Sequence, residues 1–285
     1  MGTKRRGRWK TAATLVAAVV ILGGAALAGY AFLPVRDEGA QALLVEIPRG
    51  TGFLQAVEIL DQAGLVTNKP FFYALAVAKG AVRAIRSGEY EFTGGVTPLE
   101  ILDALVQGKV KHYLVTFPED ITARDMAARL AALRLVQEEE FLALTRDRAF
   151  LASLSIEGDT AEGYLYPETY RLERTMGARE IMAVMVRQFW KVVTPEDRRR
   201  ARELGMTLGQ VVTLASLIGR ETGHTEEKPK ISAVFHNRLR LGMKLQSDPT
   251  AVYPLKGFSG PVRKRHLLED HPYNTYRISG LPPGP

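Results

Sequence analysis

The sequence predicts an α+β protein in three parts: an N-terminal transmembrane helix, a small α+β module, and a mainly helical domain with short strands. Three observations carry this reading. An uncharged, mostly apolar run, Thr11–Leu33, follows a basic cluster. Short strand-like runs at 42–47 and 88–92 alternate with amphipathic patterns of 3.6-residue period. From Ala123 onward the helical period dominates.

About 20 apolar residues span a bilayer. Lys4, Arg5, Arg6, Arg8 and Lys10 precede the run, so the positive-inside rule keeps residues 1–10 cytoplasmic and sends everything after Pro34 outward. The expected location is the cell inner (cytoplasmic) membrane, single-pass, with the bulk of the chain periplasmic or otherwise extracytoplasmic. A signal peptide has a shorter apolar core of about 7–15 residues, although Ala25–Ala28 leaves cleavage open as the alternative. The five basic residues supply most of the formal charge of +7 and leave +2 for the remainder, too balanced for a nucleic-acid surface. With no Cys, a disulfide framework and a thiolate metal site are excluded. The five His include no metal-spaced pair and no His-Glu-x-x-His, so no metal or other cofactor is expected.

Residues 34–41 read as a polar linker. In the module, 42–112, Ala42–Ile47 is a strand stopped by Pro48-Arg49-Gly50. Phe53–Ala63 is a helix with Leu54, Val57, Ile59 and Leu60 as apolar positions, and Phe71–Lys79 is a second helix. Ser87-Gly88 turns into a short strand whose Tyr90 and Phe92 read as core. Thr97-Pro98 opens a third helix with a hydroxyl cap and Pro at its first position, ending near Gly108. The segment Val45–Val66 has a gapless echo in Val115–Val136: strand, Pro stop, amphipathic helix, Leu-Val exit. An internal repeat is one explanation; chance likeness of two strand–helix units is the other.

In the larger domain, 113–285, helices are expected at Ala123–Leu135, Glu138–Arg146, Ala178–Lys191 and Pro195–Gly205. Between them, Glu162–Tyr170 is aromatic, Pro-interrupted and acidic. Tyr166 could stack on a sugar ring and Glu168 could bind hydroxyls; a structural loop pinned by buried Tyr hydroxyls explains the same residues.

The most informative stretch is Met206–Tyr253. Thr207 and Gln210 form a capping-box pair, and Gly223 is placed to stop the helix. Leu214, Leu217 and Ile218 share a face with Glu221, so a carboxylate ends an apolar stripe in the last turn. Apolar neighbours, partial burial and the negative end of the helix dipole would all favour its protonated form. Glycosidic cleavage needs such an acid; a solvated surface Glu is the plainer alternative. A second amphipathic helix follows, with Ile231, Val234, Phe235 and Leu239 as its apolar side. The Pro-fixed polar loop Leu245–Thr250 comes next, suited to a carbohydrate cleft.

At these residues a resemblance becomes specific. Leu214–Thr222, Asn237–Met243, Leu245–Thr250, Tyr273–Tyr276 and Gly280–Gly284 resemble, in order, the motifs of the endolytic murein transglycosylase family, MltG (YceG-like). The resemblance places the catalytic glutamate at Glu221; at Gly219 this chain departs from the second Glu many members carry. It implies a lytic transglycosylase acting on peptidoglycan glycan strands, with Gln246, Ser247, Asp248, Asn237, Asn274 and Tyr276 holding the sugars. It also implies a LysM-like character for module 42–112, peptidoglycan synthases as partners, and a C-terminal segment beyond Pro285. Two rivals stay open: a muramidase using Glu221 and Asp248 as paired carboxylates, and a non-catalytic wall-binding scaffold.

Overall fold

The computed structural model describes residues 3–255 and 257–285, with side chains from Thr14 onward. The basic cluster at 4–10 lies outside the described side chains. The protein is mixed α and β, about half helical, and its residues divide into two units: Met1–Tyr113 with Glu173–Thr175, and Leu114–Leu172 with Met176–Pro285.

The first unit begins with α1 (Thr3–Phe32), whose segment Thr14–Phe32 is long and apolar enough to cross a bilayer, with mean hydropathy 2.2. Its last turns are not free. Leu27, Tyr30 and Ala31 pack on the unit's core, and Tyr30 meets Phe71 edge-on at 5.6 Å. Strands β1 (Leu43–Ile47) and β2 (Gly88–Phe92) pair antiparallel, with Leu43 opposite Phe92 and Val45 opposite Tyr90. Helices α2 (Phe53–Gln62), α3 (Lys69–Ala78) and α4 (Pro98–Gln107) complete the unit around Val57, Leu60, Phe72, Tyr90 and Leu102. Tyr90 and Phe92 are core, as expected, and the Tyr90 hydroxyl donates to the Arg86 carbonyl at 2.6 Å. The expected hydroxyl cap at Thr97 is present and is a full capping box with Glu100, with Gly108 left-handed at the helix end.

Two expectations change here. Leu54 is exposed, because α2 buries Phe53, Ala56, Val57 and Leu60, a face that excludes the position after Phe53. The stretch 34–41 is fastened rather than free: the Val35 N–H donates to the Val96 carbonyl at 2.9 Å and the Gly95 N–H to the Arg36 carbonyl at 3.1 Å.

The echo noted in the sequence is structural. Shifted by 70 positions, α2 becomes α5 (Ala123–Ala132), and Leu60, Leu65 and Val66 become Leu130, Leu135 and Val136, all buried. Gly64 and Arg134 occupy the same left-handed turn, φ 71° and 55°. The following N–H groups close the same bond, Leu65 to Leu60 and Leu135 to Leu130.

In the second unit, β3 (Tyr113–Thr116) pairs with β4 (Thr169–Leu172). Helices α6 (Glu138–Leu144), α7 (Arg148–Ser153) and α8 (Ala178–Val192) join α5 in burying Phe117, Met126, Phe141, Leu151, Ile181 and Met185. After α9 (Pro195–Glu203), α10 (Leu208–Glu221) packs on α11 (Lys228–Arg240) through a small core of Leu214, Leu217, Phe235 and Leu245. Val234, expected on the apolar side of α11, is exposed; its neighbour Phe235 takes the inward position. Two five-residue helices, α12 (Asp248–Val252) and α13 (Lys264–Leu268), follow.

Candidate active site

Helix α10 starts on the expected Thr207–Gln210 capping box and ends at Glu221, where Thr222 turns extended (φ −149°, ψ 140°). Gly223 does not supply the left-handed stop its position suggested. The Thr222 side chain does the work instead: its hydroxyl donates to Glu227 Oε2 at 2.6 Å and accepts from the His224 N–H at 3.0 Å. Glu221 lies at the end of the stripe formed by Leu214, Leu217 and Ile218, but it is exposed, which corrects the expectation of partial burial. As the last helical residue it projects beyond the packed turns.

The polar loop comes to it. Ser247 Oγ donates to Glu221 Oε1. Ser247 is 1% exposed, held by its N–H to Thr275 Oγ1 at 2.9 Å and by Thr250 Oγ1 donating to its carbonyl at 2.6 Å. Thr250 and Thr275 bond each other at 2.8 Å. Two threonine hydroxyls, one three residues on and one 28 residues on, thus fix one donor against one carboxylate. Gln246 is left-handed (φ 54°), with its N–H on the Thr275 carbonyl at 3.2 Å and its side chain exposed. The Tyr276 hydroxyl donates to Asp248 Oδ1 at 2.6 Å. Burial, then the bond to Asp248, then the charges of Asp248 and Glu221 push this phenol up to about 12, so it holds its proton as a donor.

The remaining sequence-selected residues lie elsewhere. Asn274 is fully buried; its amide donates to the carbonyls of His266, Leu267 and Glu269, and Oδ1 accepts from the Tyr276 N–H. It shapes the Thr275–Tyr276 turn from within. Asn237 is exposed on α11, accepts from Arg240 at 3.1 Å, and lines a separate groove with Gln210, His236 and Pro283. Tyr166 accepts the Tyr170 hydroxyl on its carbonyl at 2.6 Å, and Glu168 pairs its carbonyl with the Phe117 N–H at 3.0 Å. That is the arrangement of a loop pinned by a buried Tyr hydroxyl. Among the described residues no His, Asp and Glu group is arranged to hold a metal ion.

The sequence profile of the YceG-like family matches residues 45–285. The chain belongs to the YceG-like family. A Bacillus subtilis relative named endolytic murein transglycosylase is 28% identical over 283 residues, covering 93% of this chain and 78% of the relative. A Streptococcus pneumoniae protein of the same name is 26% identical over 284 residues, covering 89% of this chain. This YceG-like chain spans 51% of that pneumococcal relative. A crystal structure of a yceG-like protein from Listeria monocytogenes aligns with TM-score 0.58 and 28% identity, covering 86% of this chain and 85% of that one.

Sequence reasoning missed several residues of this YceG-like site. Arg238, beside the selected Asn237, donates to the Leu245 carbonyl and ties α11 to the loop. Thr275 lies within the Tyr273–Tyr276 motif, but nothing local marks it as the acceptor that seats Ser247. Glu162, at the head of the stretch that drew attention to Tyr166 and Glu168, is the carboxylate there that burial pushes upward, with its Oε1 accepting from the Ala123 N–H at 2.8 Å. Asp120 carried no signal at all; it is left-handed at φ 60°, and burial also raises its carboxyl.

Proposed function

We propose that this chain is a membrane-anchored endolytic peptidoglycan lytic transglycosylase. It cleaves the β-1,4 bond between N-acetylmuramic acid and N-acetylglucosamine within nascent glycan strands, leaves a 1,6-anhydro end, and so terminates strand elongation. The observation that carries the reading is the contact between Glu221 and Ser247. It joins the exposed carboxylate at the end of α10 to the Gln246-Ser247-Asp248 loop, giving an acid and its polar neighbours one location. Family membership and the names of the relatives support the same activity.

In this mechanism Glu221, protonated, gives its proton to the departing glycosidic oxygen. The resulting carboxylate takes the proton of the muramoyl C6 hydroxyl as that oxygen attacks C1. The C1–O bond to the leaving sugar breaks, the C6–O–C1 bridge forms, and Glu221 ends protonated, with no water consumed. Ser247 orients the carboxyl; Tyr276, Asp248 and Gln246 line its surroundings and contact sugar. Asn274 supports them from inside.

The anchor reading is supported by the packing of Tyr30 and Ala31 into the first unit, which makes the end of α1 part of a folded core. Residues 42–112 serve as a LysM-like glycan-binding module in this proposal, and a peptidoglycan synthase supplies the nascent strand.

A muramidase is the second reading, because Asp248 lies in the same loop as Ser247 and reaches Glu221's surroundings through Tyr276. Mass analysis of products from purified glycan strands separates the two: anhydro ends support transglycosylation, reducing ends support hydrolysis. Glu221→Gln is expected to lower cleavage by about 10²–10⁴-fold, the range of a lost general acid and base. Full cleavage by this variant would refute the proposal.

A further inference from the structure

We propose that a cavity adjoining the Glu221–Ser247 contact is a subsite for a single N-acetylhexosamine ring next to the bond being cut; this rests on the glycan-cleaving reading above. The cavity holds about 270 Å³ and lies wholly within the second unit. It lies beside the candidate catalytic contact without being lined by it: Leu217 and Arg220 come from the last turns of α10, and Pro249 and Thr250 directly follow Ser247-Asp248. Sites that engulf a drug-sized ligand run to about 300–1,000 Å³, so this one has room for one ring and not for an oligosaccharide.

Its lining has the two faces such a ring presents. Leu217, Leu255 and Phe258 supply apolar surface, and Tyr253 and Tyr273 add a pair of rings 4.6 Å apart between centroids. A pyranose has an apolar C–H face that packs on such surfaces, as aromatic side chains with one polar end commonly do at wet interfaces. Around them stand three carboxyls, Asp120, Asp125 and Glu162, with the guanidiniums of Arg124 and Arg220. Glu162 is held by the Ala123 N–H and by the Tyr253 hydroxyl. Each carboxyl supplies acceptor oxygens for the sugar's hydroxyl and acetamido N–H groups, and burial shifts Glu162 toward its protonated form.

The approach of Asp120 depends on a missing side chain. A Cβ added at Gly219 would lie 2.0 Å from Asp120 Oδ1. Arg220 donates to the Asp120 carbonyl at 3.3 Å, helping to hold the left-handed backbone. Asp tolerates that conformation better than most residues. The glycine two positions before Glu221 therefore lets a carboxylate from the β3–α5 loop stand over the cavity.

The test uses the full chain in detergent micelles carrying Glu221→Gln, so that binding is read without cleavage. The probe is a peptide-free tetrasaccharide of alternating N-acetylglucosamine and N-acetylmuramic acid, titrated calorimetrically. Adding Tyr253→Ala is expected to weaken binding about ten-fold or more through lost ring packing. Adding Asp120→Asn is expected to weaken it about three- to ten-fold. In the otherwise native chain, Asp120→Asn should raise KM by a similar factor with kcat within about two-fold, a split a purely structural role would not produce. Asp120 is exposed, so its variant decides the matter if Tyr253→Ala fails to fold. Unchanged affinity in a folded Asp120→Asn protein, with KM also unchanged, overturns the subsite while leaving the cleavage reading intact. Cavity-dependent binding by a chain whose native form never cuts glycan would do the reverse.

Discussion

Replacing Thr275 by Val tests the hydroxyl chain behind Glu221. The two side chains are nearly the same size, so packing is kept while one acceptor is removed. Thr275 is completely buried, and its Oγ1 accepts the Ser247 N–H at 2.9 Å. Thr250 keeps the Ser247 carbonyl as its own acceptor at 2.6 Å, so the substitution orphans one buried N–H and little else. Such a group costs about 1–3 kcal/mol. At about 2–4 °C per kcal/mol for a domain of this size, thermal unfolding should shift down by several degrees. Activity should fall further than stability, because Ser247 is the donor to Glu221 and a displacement of about 1 Å can cost on the order of 10²-fold. Thr275→Ser keeps the acceptor and loses one methyl, worth about 0.8 kcal/mol, so it should retain most activity. The assays are a thermal melt and anhydro-end release from glycan strands at a temperature where all variants are folded. A Val variant that melts within about 1 °C of the parent and cuts at the parental rate would show that the chain does not seat Ser247.

Three further outcomes follow from the same structure. Gly163→Ala forces a left-handed backbone (φ 79°) and drives a Cβ to 2.7 Å from Val212 Cγ1, so a loss of about 2–4 kcal/mol is expected by chemical denaturation. Thr97→Ala removes the α4 capping box and should cost about 1 kcal/mol, read from the same midpoint shift; no change would mean the box is dispensable. Glu162 is held above its ordinary value by burial, so the native state binds its proton more tightly than the unfolded chain. Its contribution is complete below the usual Glu range and is lost as pH rises through the native value, and Glu162→Gln should therefore flatten the decline in melting temperature above about pH 4.5. Parallel pH profiles for parent and variant would contradict this.

What the sequence revealed was local or periodic. The hydroxyl cap at Thr97, the capping box at Thr207, the stripe leading to Glu221 and the 70-residue echo all rest on local spacing, and spacing survives folding. The misjudged positions differ by one residue or by one partner. Leu54 and Val234 each sit beside the aromatic that actually turns inward, because a helical stripe leaves two adjacent apolar residues nearly indistinguishable. Gly223 was a sensible stop, but Thr222 found a nearer partner in Glu227. The role of Thr275 and the approach of Asp120 to Gly219 join segments far apart in the chain, and the burial of Asn274 depends on a turn that folds back over five to eight residues. No local pattern encodes which carbonyl a buried amide will meet.

The docking of Tyr30 and Ala31, together with the pinning of Val35 and Arg36, bears on reach. A protein tethered by a slack segment sweeps a hemisphere of wall; one whose spanning helix runs straight into a folded body has no leash to pay out. In the proposed anchored form, the first unit's folded core therefore begins within the last turns of α1, with no slack segment between helix and body.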